Sequence, residues 1–314
     1  MAYMRPDLPA WRSLLFVPIV REKFVASAHT RGADGIILDL EDSVPEAEKA
    51  RARELVPTAA REVGKGGADV LVRINRPWHQ AFRDVEAAAG PDVMALVCPK
   101  VEGPEHLRVI AELLDGLEVA RGLPAGHTRL VALVETADAY FRAPEIAKAT
   151  PRLVAISLGA EDFALSVGME PIADAETLQA PKQAVIIAAR AAGIMPLGFM
   201  GTVADFEDTE AFRRVVRRSR KFGFAAASCI HPSVVHVLNE EYGVSPEAAD
   251  RARRMIAAYD AALAQGIGAV TFEGKMIDVP VVERAKALLA QAERFAARQL
   301  TQPRKNSDIP ARGD

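Results

Sequence analysis

The stretch GIILDLED, Gly35 to Asp42, begins as a continuous apolar run and ends with three acids among its last four residues. A run that is apolar at every position is typical of a parallel β-strand buried on both faces, because such a strand has no solvent-facing side. The acids Asp39, Glu41 and Asp42 would then lie at the carboxyl end of that strand. The stretch therefore predicts a buried strand with carboxylates at its end.

Eight runs of this kind recur along the chain, with amphipathic segments of helical length between them. This alternation predicts βα units around a parallel sheet, and eight units favour an α/β fold of the (β/α)8 TIM-barrel type. A doubly wound open sheet is the main alternative, but no Gly-x-Gly-x-x-Gly motif follows any of the runs. The runs are Ser13 to Val17, Gly35 to Leu40, Val70 to Ile74, Val93 to Cys98, Arg129 to Glu135, Leu153 to Gly159, Ile194 to Phe199 and Ala226 to Ile230.

The chain continues beyond the eighth run for some 80 residues. Two Ala-rich segments there, Glu247 to Gln265 and Val281 to Arg298, predict long helices joined by a loop, Gly266 to Pro280. We expect this C-terminal helical extension to act as a lid. The expected domains are a barrel core at 11–245, the extension at 246–300, and flexible tails at 1–10 and 301–314.

The composition favours a small-molecule substrate. Lys and Arg number 39 and Asp and Glu 42, so the net charge of -3 gives no reason to expect nucleic acid or a membrane surface as a partner. The two cysteines lack CxxC spacing, which predicts reduced thiols rather than a disulfide or a zinc site. No apolar run approaches the roughly 20 residues of a membrane span, and we expect a cytoplasmic protein.

Functional side chains are concentrated just after the apolar runs, where barrel enzymes carry their active sites. A charged residue beside a strand often only begins a solvated loop, but several acids at one mouth repel one another unless a cation neutralises them. The residues in these positions are Asp39, Glu41, Asp42, Arg73, Asn75, Lys100, Glu135, Glu161, Asp162 and His231.

Carboxylates without clustered histidines suit a hard divalent cation, Mg2+ or alternatively Mn2+. Glu135 and Asp162, after neighbouring strands, are the best pair of ligands. Arg73 suits a substrate carboxylate or an oxygen that gains charge during reaction. His231 could either bind substrate or cap its strand end. The residues expected to bind substrate are Arg73, Asp39, Glu41, Lys100 and His231.

Lys100 also raises the possibility of Schiff-base chemistry, which needs a lysine with a lowered pKa. The many acids nearby should instead keep the pKa of this lysine high.

The ordered motifs RSLLFVP, GADGIILDLEDSV, VRIN, CPKVE, VETAD, LGAEDF, CIHPSVV and GKMIDVPVVERA resemble those of a known superfamily. The chain is similar to the HpcH/HpaI aldolase and citrate lyase β-subunit superfamily from about Trp11 to Arg298. Within it, the chain resembles the CoA-ester lyases that include malyl-CoA and citramalyl-CoA lyases. One departure is Ile19, which follows Pro18 where family members commonly have glycine, and it leaves the substrate open.

The resemblance implies a Mg2+-dependent barrel that makes or breaks a carbon-carbon bond between an acyl-CoA and a 2-oxo acid. Glu135 and Asp162 fall on the family's metal ligands, and Arg73 on its substrate-binding arginine. Asp278 falls on the catalytic acid that a C-terminal segment brings to a neighbouring subunit, so the resemblance also implies a homo-trimer or a dimer of trimers.

Four other functions remain open from the sequence. The chain could be a citrate lyase β-type subunit acting on a carrier-bound acyl group, an aldolase of free 2-oxo acids, or an acyl-CoA thioesterase on the same scaffold. It could also be a non-catalytic barrel that serves as a binding scaffold. The physiological direction and the particular acyl-CoA are likewise open.

Overall fold

The computed structural model describes residues 4–170, 176–201 and 208–301. Eight parallel strands follow one another with helices between them, which confirms the predicted barrel. The barrel strands are β1 (Ser13–Pro18), β2 (Gly35–Asp39), β3 (Asp69–Arg73), β4 (Ala95–Cys98), β5 (Arg129–Val134), β6 (Leu153–Leu158), β7 (Met195–Pro196) and β8 (Ala227–Cys229).

The sheet closes on itself between β7 and β8. Strands pair in the order β7-β6-β5-β4-β3-β2-β1-β8, and a parallel bridge joins Leu197 to Ala226 across the remaining gap. The Gly198 N–H donates to the Ala226 carbonyl at 2.8 Å. An open doubly wound sheet has no such contact between its edge strands, so the structure excludes that alternative.

Strand β7 is much shorter than the predicted run Ile194 to Phe199, because its regular pairing covers Met195–Pro196 alone. Proline has no N–H to donate to a neighbouring strand, and it therefore limits the ladder at this point. Leu197 and Gly198 still donate single hydrogen bonds to Ile156 and Ala226, and together with Phe199 they form part of the wall of a cavity described below.

Helices surround the barrel. They are α1 (Glu22–Ala28), α2 (Lys49–Gly64), α3 (Trp78–Ala88), α4 (Pro104–Arg121), α5 (Ala137–Phe141), α6 (Ala143–Ile146), α7 (Ala160–Val167), α8 (Gln179–Ala192), α9 (Thr209–Phe222) and α10 (Val235–Glu241). Among the helices in the described ranges, none combines the length and apolarity needed to cross a membrane.

Alternating residues of each strand serve two separate cores. In β2, Ile37 belongs to the cluster inside the barrel, whereas Ile36 and Leu38 belong to the layer between strands and helices. Each of these three side chains is no more than 1% exposed. Burial on both faces explains why the sequence of this strand is apolar at every position.

The amino-terminal segment packs against the end of the barrel at which the strands begin. Leu8 and Trp11 join the interior cluster, and the Trp11 indole N–H donates to Asp69 Oδ2 at 2.7 Å. Leu8, expected within a flexible tail, therefore belongs to the core. Residues 1–3, and nearly all of the expected tail at 301–314, lie outside the described residues.

The extension contains α11 (Pro246–Leu263), β9 (Val270–Phe272), β10 (Lys275–Ile277) and α12 (Val279–Thr301). The loop predicted between the helices contains two short strands, because β9 and β10 form an antiparallel hairpin. Its turn places Glu273 and Gly274 at φ 49° and 76°, positive at both positions as in a two-residue hairpin turn of type I′.

Helix α12 runs back to the amino ends of the barrel strands. Arg298, near its end, donates to Asp69 Oδ2 at 2.7 Å, and Arg12 lies over the Phe295 ring at 5.1 Å. Asp278, just before the helix, lies 20 residues from Arg298, which is about 30 Å along a helix axis. The helix thus fixes its C-terminal end to its own barrel and places Asp278 far from that end.

Candidate active site

A cavity of about 560 Å3 opens at the carboxyl ends of the barrel strands. Apolar side chains such as Phe16, Leu133 and Phe224 form much of its wall. The charged residues that line it in the described part of the chain are Asp39, Asp42, Arg73, Glu135, Glu161, Asp162 and Lys182. A largely apolar cavity with a few convergent charges is the usual form of a small-molecule site.

Arg73 and Asp39 face each other because the register of β2 and β3 pairs these two residues directly. Arg73 Nε and Nη2 donate to the two oxygens of Asp39, each at 2.7 Å, in the bidentate geometry that suits a guanidinium. Burial alone would raise the pKa of Asp39, but Arg73 lowers it below its ordinary value. The guanidinium also lies over the Phe16 ring at 4.9 Å, so its position is well determined.

Glu41 lies between two cations. Its Oε2 is 2.9 Å from Arg73 Nη1, and its Oε1 accepts a 2.9 Å hydrogen bond from Lys100 Nζ. Burial raises the pKa of Glu41 above its ordinary value. Although burial alone would lower the pKa of Lys100, the hydrogen bond to Glu41 raises it. Lys100 is therefore a charged amine, as its acidic surroundings led us to expect, and is not suited to Schiff-base chemistry.

The backbone of Lys100 adopts φ 48°, which is uncommon for a residue other than glycine. This conformation lets one residue hold two carboxylates. Its N–H donates to Glu135 Oε2 at 2.6 Å, while its side chain binds Glu41. The strained backbone thus links the acids after β2 to the acid after β5.

Glu135 is a buried carboxylate that lacks a full counter-charge. Its burial, together with the charges of Glu41 and Asp162, raises its pKa to about 7. Gly159 makes room for it, because a Cβ at that position would lie 2.3 Å from Glu135 Oε1. A cation placed between Glu135 and Asp162 would relieve this repulsion.

The donor set fits a magnesium ion. Mg2+ typically takes one or two protein carboxylates and completes its shell with water and substrate oxygens. Within the described ranges, no group of three or more His, Cys, Asp or Glu side chains is arranged to enclose a metal. Glu135 and Asp162, which lies in the first turn of α7, would therefore form an open site.

Four predicted site residues are not among those that line the cavity. Glu41 and Lys100 bind the lining residues Arg73 and Glu135, whereas His231 and Asp278 lie elsewhere. His231 is exposed, and its Nδ1 is 2.6 Å from Ser233 Oγ and accepts from the Ser233 N–H at 3.3 Å, which caps the turn that follows. Asp278 Oδ1 accepts from the Val281 N–H at 3.4 Å at the start of α12. Among the described residues of the extension, none lines the cavity of its own barrel, so the expected lid does not cover its own barrel mouth.

Ile19, which stands where family members commonly have glycine, does not contribute to the cavity wall. It is 2% exposed, belongs to the outer core and is not among the lining residues. Positive φ angles among described non-glycine residues occur at Lys100 and Glu273, so Ile19 needs no glycine conformation.

The sequence did not point to Lys182 and Gly159 as site residues. Lys182 lies inside α8, far from any strand end in sequence, and yet lines the cavity. Gly159 carries no functional group, and its part is to leave space for Glu135. Neither has a local sequence signal, since both depend on how separate elements meet.

The HpcH/HpaI aldolase/citrate lyase family model matches residues 12–232. The chain belongs to this family. The family resemblance seen in the motifs is confirmed.

Relatives of known name agree. The chain is 34% identical to the citrate lyase subunit beta of Leuconostoc mesenteroides over 284 residues, which cover 90% of this chain and 93% of the relative. It is 34% identical to the L-malyl-CoA/beta-methylmalyl-CoA lyase of Cereibacter sphaeroides over 301 residues, with coverage of 89% and 92%. The (3S)-malyl-CoA thioesterase of the same species is 33% identical over 290 residues, with coverage of 91% and 96%.

A solved family structure shows the ligands that one such barrel binds. The crystal structure of CitE from Mycobacterium tuberculosis in complex with magnesium, acetoacetate and coenzyme A aligns with a TM-score of 0.71 and 31% identity. The alignment covers 92% of this chain and 100% of that one. The family and the two named lyases place the present chain among carbon-carbon lyases.

Proposed function

We propose that the chain is a Mg2+-dependent lyase that cleaves or forms a 3-hydroxyacyl-CoA such as malyl-CoA or citramalyl-CoA. The products of cleavage would be an acyl-CoA and a 2-oxo acid. The observation that carries this proposal is the pair Glu135 and Asp162 beside Arg73 in one cavity, with the pKa of Glu135 raised to about 7. The magnesium and coenzyme A bound by the related CitE support it.

In cleavage, the C2–C3 bond of the thioester breaks and its electron pair passes to the thioester as an enolate. The C3 hydroxyl gives up its proton and becomes the carbonyl of the oxo acid, and in the net reaction this proton balances the one that the enolate takes up at C2. A magnesium ion held by Glu135 and Asp162 would act as a Lewis acid toward the oxygens of the oxo acid. Arg73, fixed by Asp39 and Glu41, presents a permanent positive charge to an oxygen that gains negative charge.

The enolate must then receive a proton at C2. In the described structure, no residue of the chain's own extension reaches the cavity, so Asp278 of a second copy is the proposed donor. Met276, 71% exposed, and Val279, 56% exposed, flank the stretch that carries this acid. In an assembly these apolar side chains would exclude water from the cavity.

The test is turnover of a panel of 3-hydroxyacyl-CoAs with and without Mg2+, followed by oxo-acid release. We expect malyl-CoA or citramalyl-CoA to be cleaved only with the metal, and Asp162→Asn to lose most of this activity. Absence of oxo-acid release from the whole panel would refute a lyase of CoA esters.

Thioester hydrolysis is a second candidate, because the chain is as similar to a malyl-CoA thioesterase as to the lyases. The same assay separates the two, since hydrolysis yields free coenzyme A and an intact hydroxy acid. A carrier-bound acyl group, as in citrate lyase, would instead show as turnover of a carrier thioester and none of the CoA ester.

A further inference from the structure

Lys182 is a buried amine in the wall of the cavity that the proposed reaction does not use. Its side chain is 3% exposed, and it projects from α8 toward the segment after β7. Its Nζ donates to the carbonyl oxygens of Phe199 at 2.9 Å and Gly201 at 2.8 Å. An ammonium carries three N–H groups, so the bonds that Lys182 makes within the described ranges leave one N–H for another acceptor.

The two cations that line the described cavity differ in how their charge is balanced. Arg73 is paired with Asp39, Glu41 and Asp42. Lys182 is held by two neutral carbonyls, and the charged group that acts on it is Glu161, one carboxylate on α7. Burial lowers the pKa of Lys182 to about 8, which reflects the cost of an incompletely compensated charge. An anion that accepts a hydrogen bond from the third N–H would compensate the buried positive charge.

We propose that Lys182 binds a second carboxylate of the substrate, beyond the carboxylate of the 2-oxo acid unit at the metal site. The inference rests on the proposed lyase function. It extends the substrate class beyond malyl-CoA and citramalyl-CoA, whose single carboxylate belongs to the oxo-acid unit, to thioesters that carry a second carboxylate. That carboxylate belongs either to the oxo-acid half or to the acyl half of the molecule, and both halves occupy the same cavity.

A purely structural role makes a different prediction. If Lys182 only tethers the Phe199 and Gly201 carbonyls, its loss deforms the wall and weakens all ligands alike. If it binds a carboxylate, its loss weakens only those ligands that carry one. Pairs of ligands that differ in a single carboxylate therefore separate the two roles.

The experiment measures binding by calorimetry with Mg2+ present, using two pairs in which a methyl group replaces the carboxylate. Oxaloacetate and 2-oxobutyrate test the oxo-acid half, and succinyl-CoA and butyryl-CoA test the acyl half. We expect the wild-type protein to prefer the carboxylate member of one pair by about tenfold or more, the usual effect of a charged hydrogen bond. Lys182→Met should remove the preference, and Lys182→Arg should keep it.

Lys49→Met is the matched control. Lys49 is also buried and also donates to two carbonyls, those of Leu40 at 2.8 Å and Glu41 at 2.6 Å, but it does not line the cavity. Its loss should change both members of a pair by the same factor. Lys182→Gln, which retains donors without charge, gives the same readout if the methionine variant does not fold.

Two results would overturn the inference while the lyase proposal stands. One is a wild-type protein that binds both members of each pair equally, and the other is a preference that survives in Lys182→Met or Lys182→Gln. If none of the four ligands binds in the presence of Mg2+, this inference fails, while the lyase proposal is judged separately by oxo-acid release from the 3-hydroxyacyl-CoA panel.

Discussion

Arg73 allows three acids to crowd the end of one strand. Asp39, Glu41 and Asp42 all lie within 3.3 Å of its guanidinium. The sequence predicted that these charges meet, because the carboxyl ends of parallel strands share one face of the barrel. It could not predict which acid neutralises which base, since the positive φ of Lys100 and the strand register decide that.

Arg73→Lys should lower turnover by about 100- to 1000-fold, the usual loss when a donor to developing charge is removed. A lysine cannot reproduce the bidentate bond to Asp39 and sits as a mobile point charge. Steady-state kinetics on the best substrate measure this. Arg213→Lys, which alters surface ion pairs with Glu240 and Glu241, should keep near wild-type rates, and an equally active Arg73→Lys would contradict the role given to Arg73.

Gly159→Ala should weaken Mg2+ binding, because the new Cβ would lie 2.3 Å from Glu135 Oε1 and displace that carboxylate. We expect at least about a tenfold higher magnesium requirement, the effect of a disturbed ligand environment. Titration of activity against Mg2+ measures it. Gly116→Ala is the control, since a Cβ there meets nothing in the exposed face of α4, and unchanged magnesium dependence in Gly159→Ala would show that Glu135 is not a ligand.

At the level of elements, the sequence predicted those strands and helices whose apolar residues follow a single clear pattern. Strands such as β2 and β5 were predicted closely because burial on both faces makes them continuously apolar. The β9–β10 hairpin was missed because its turn, Glu273-Gly274, lacks the usual Asn-Gly or Asp-Gly signal. The packing of Leu8 was missed because it depends on the barrel interior rather than on the local sequence.

The ion pair between Glu118 of α4 and Arg152, just before β6, should make the stability of the fold depend on pH. Arg152 donates to both oxygens of Glu118, and the backbone N–H groups of Gly126 and Thr128 also donate to that carboxylate. Burial alone would raise the pKa of Glu118, but these bonds lower it to about 2 from an ordinary 4.5. A carboxyl with a lowered folded pKa stabilises the fold above its unfolded pKa, and this contribution is lost as pH falls toward the folded value.

Glu118→Gln should therefore be less stable than wild type at pH 7, and the gap should shrink between pH 4.5 and pH 2. Urea unfolding at a series of pH values measures the gap. Glu112→Gln changes an exposed residue of the same helix and should leave stability nearly unchanged at each pH. A gap that stays constant down to pH 2 would show that the Glu118 charge contributes nothing.

On the scale of the whole molecule, the barrel of one chain forms a cavity that its own Asp278, the proposed acid, does not line. Arg298 fixes the end of α12 to its own barrel, while Asp278 lies outside the cavity of that barrel. The sequence suggested the acid only through family resemblance. No local pattern could show which barrel it serves, because that depends on contacts between copies.

Mixing Asp278→Ala and Arg73→Ala chains should restore part of the activity that each variant lacks. In mixed assemblies, some cavities would combine an intact Arg73 with an intact Asp278 from another copy. Activity is measured after subunit exchange has been verified with two differently tagged chains. Failure to recover activity despite exchange would indicate an acid that acts within its own chain.

The most direct test of the account is a crystal structure of the protein with Mg2+, a 2-oxo acid and coenzyme A. We predict an ion bound by Glu135 and Asp162, the oxo acid between the ion and Arg73, and Asp278 of another copy facing the acyl end. An ion bound elsewhere, or an oxo acid outside the cavity lined by Arg73, would contradict the proposed function.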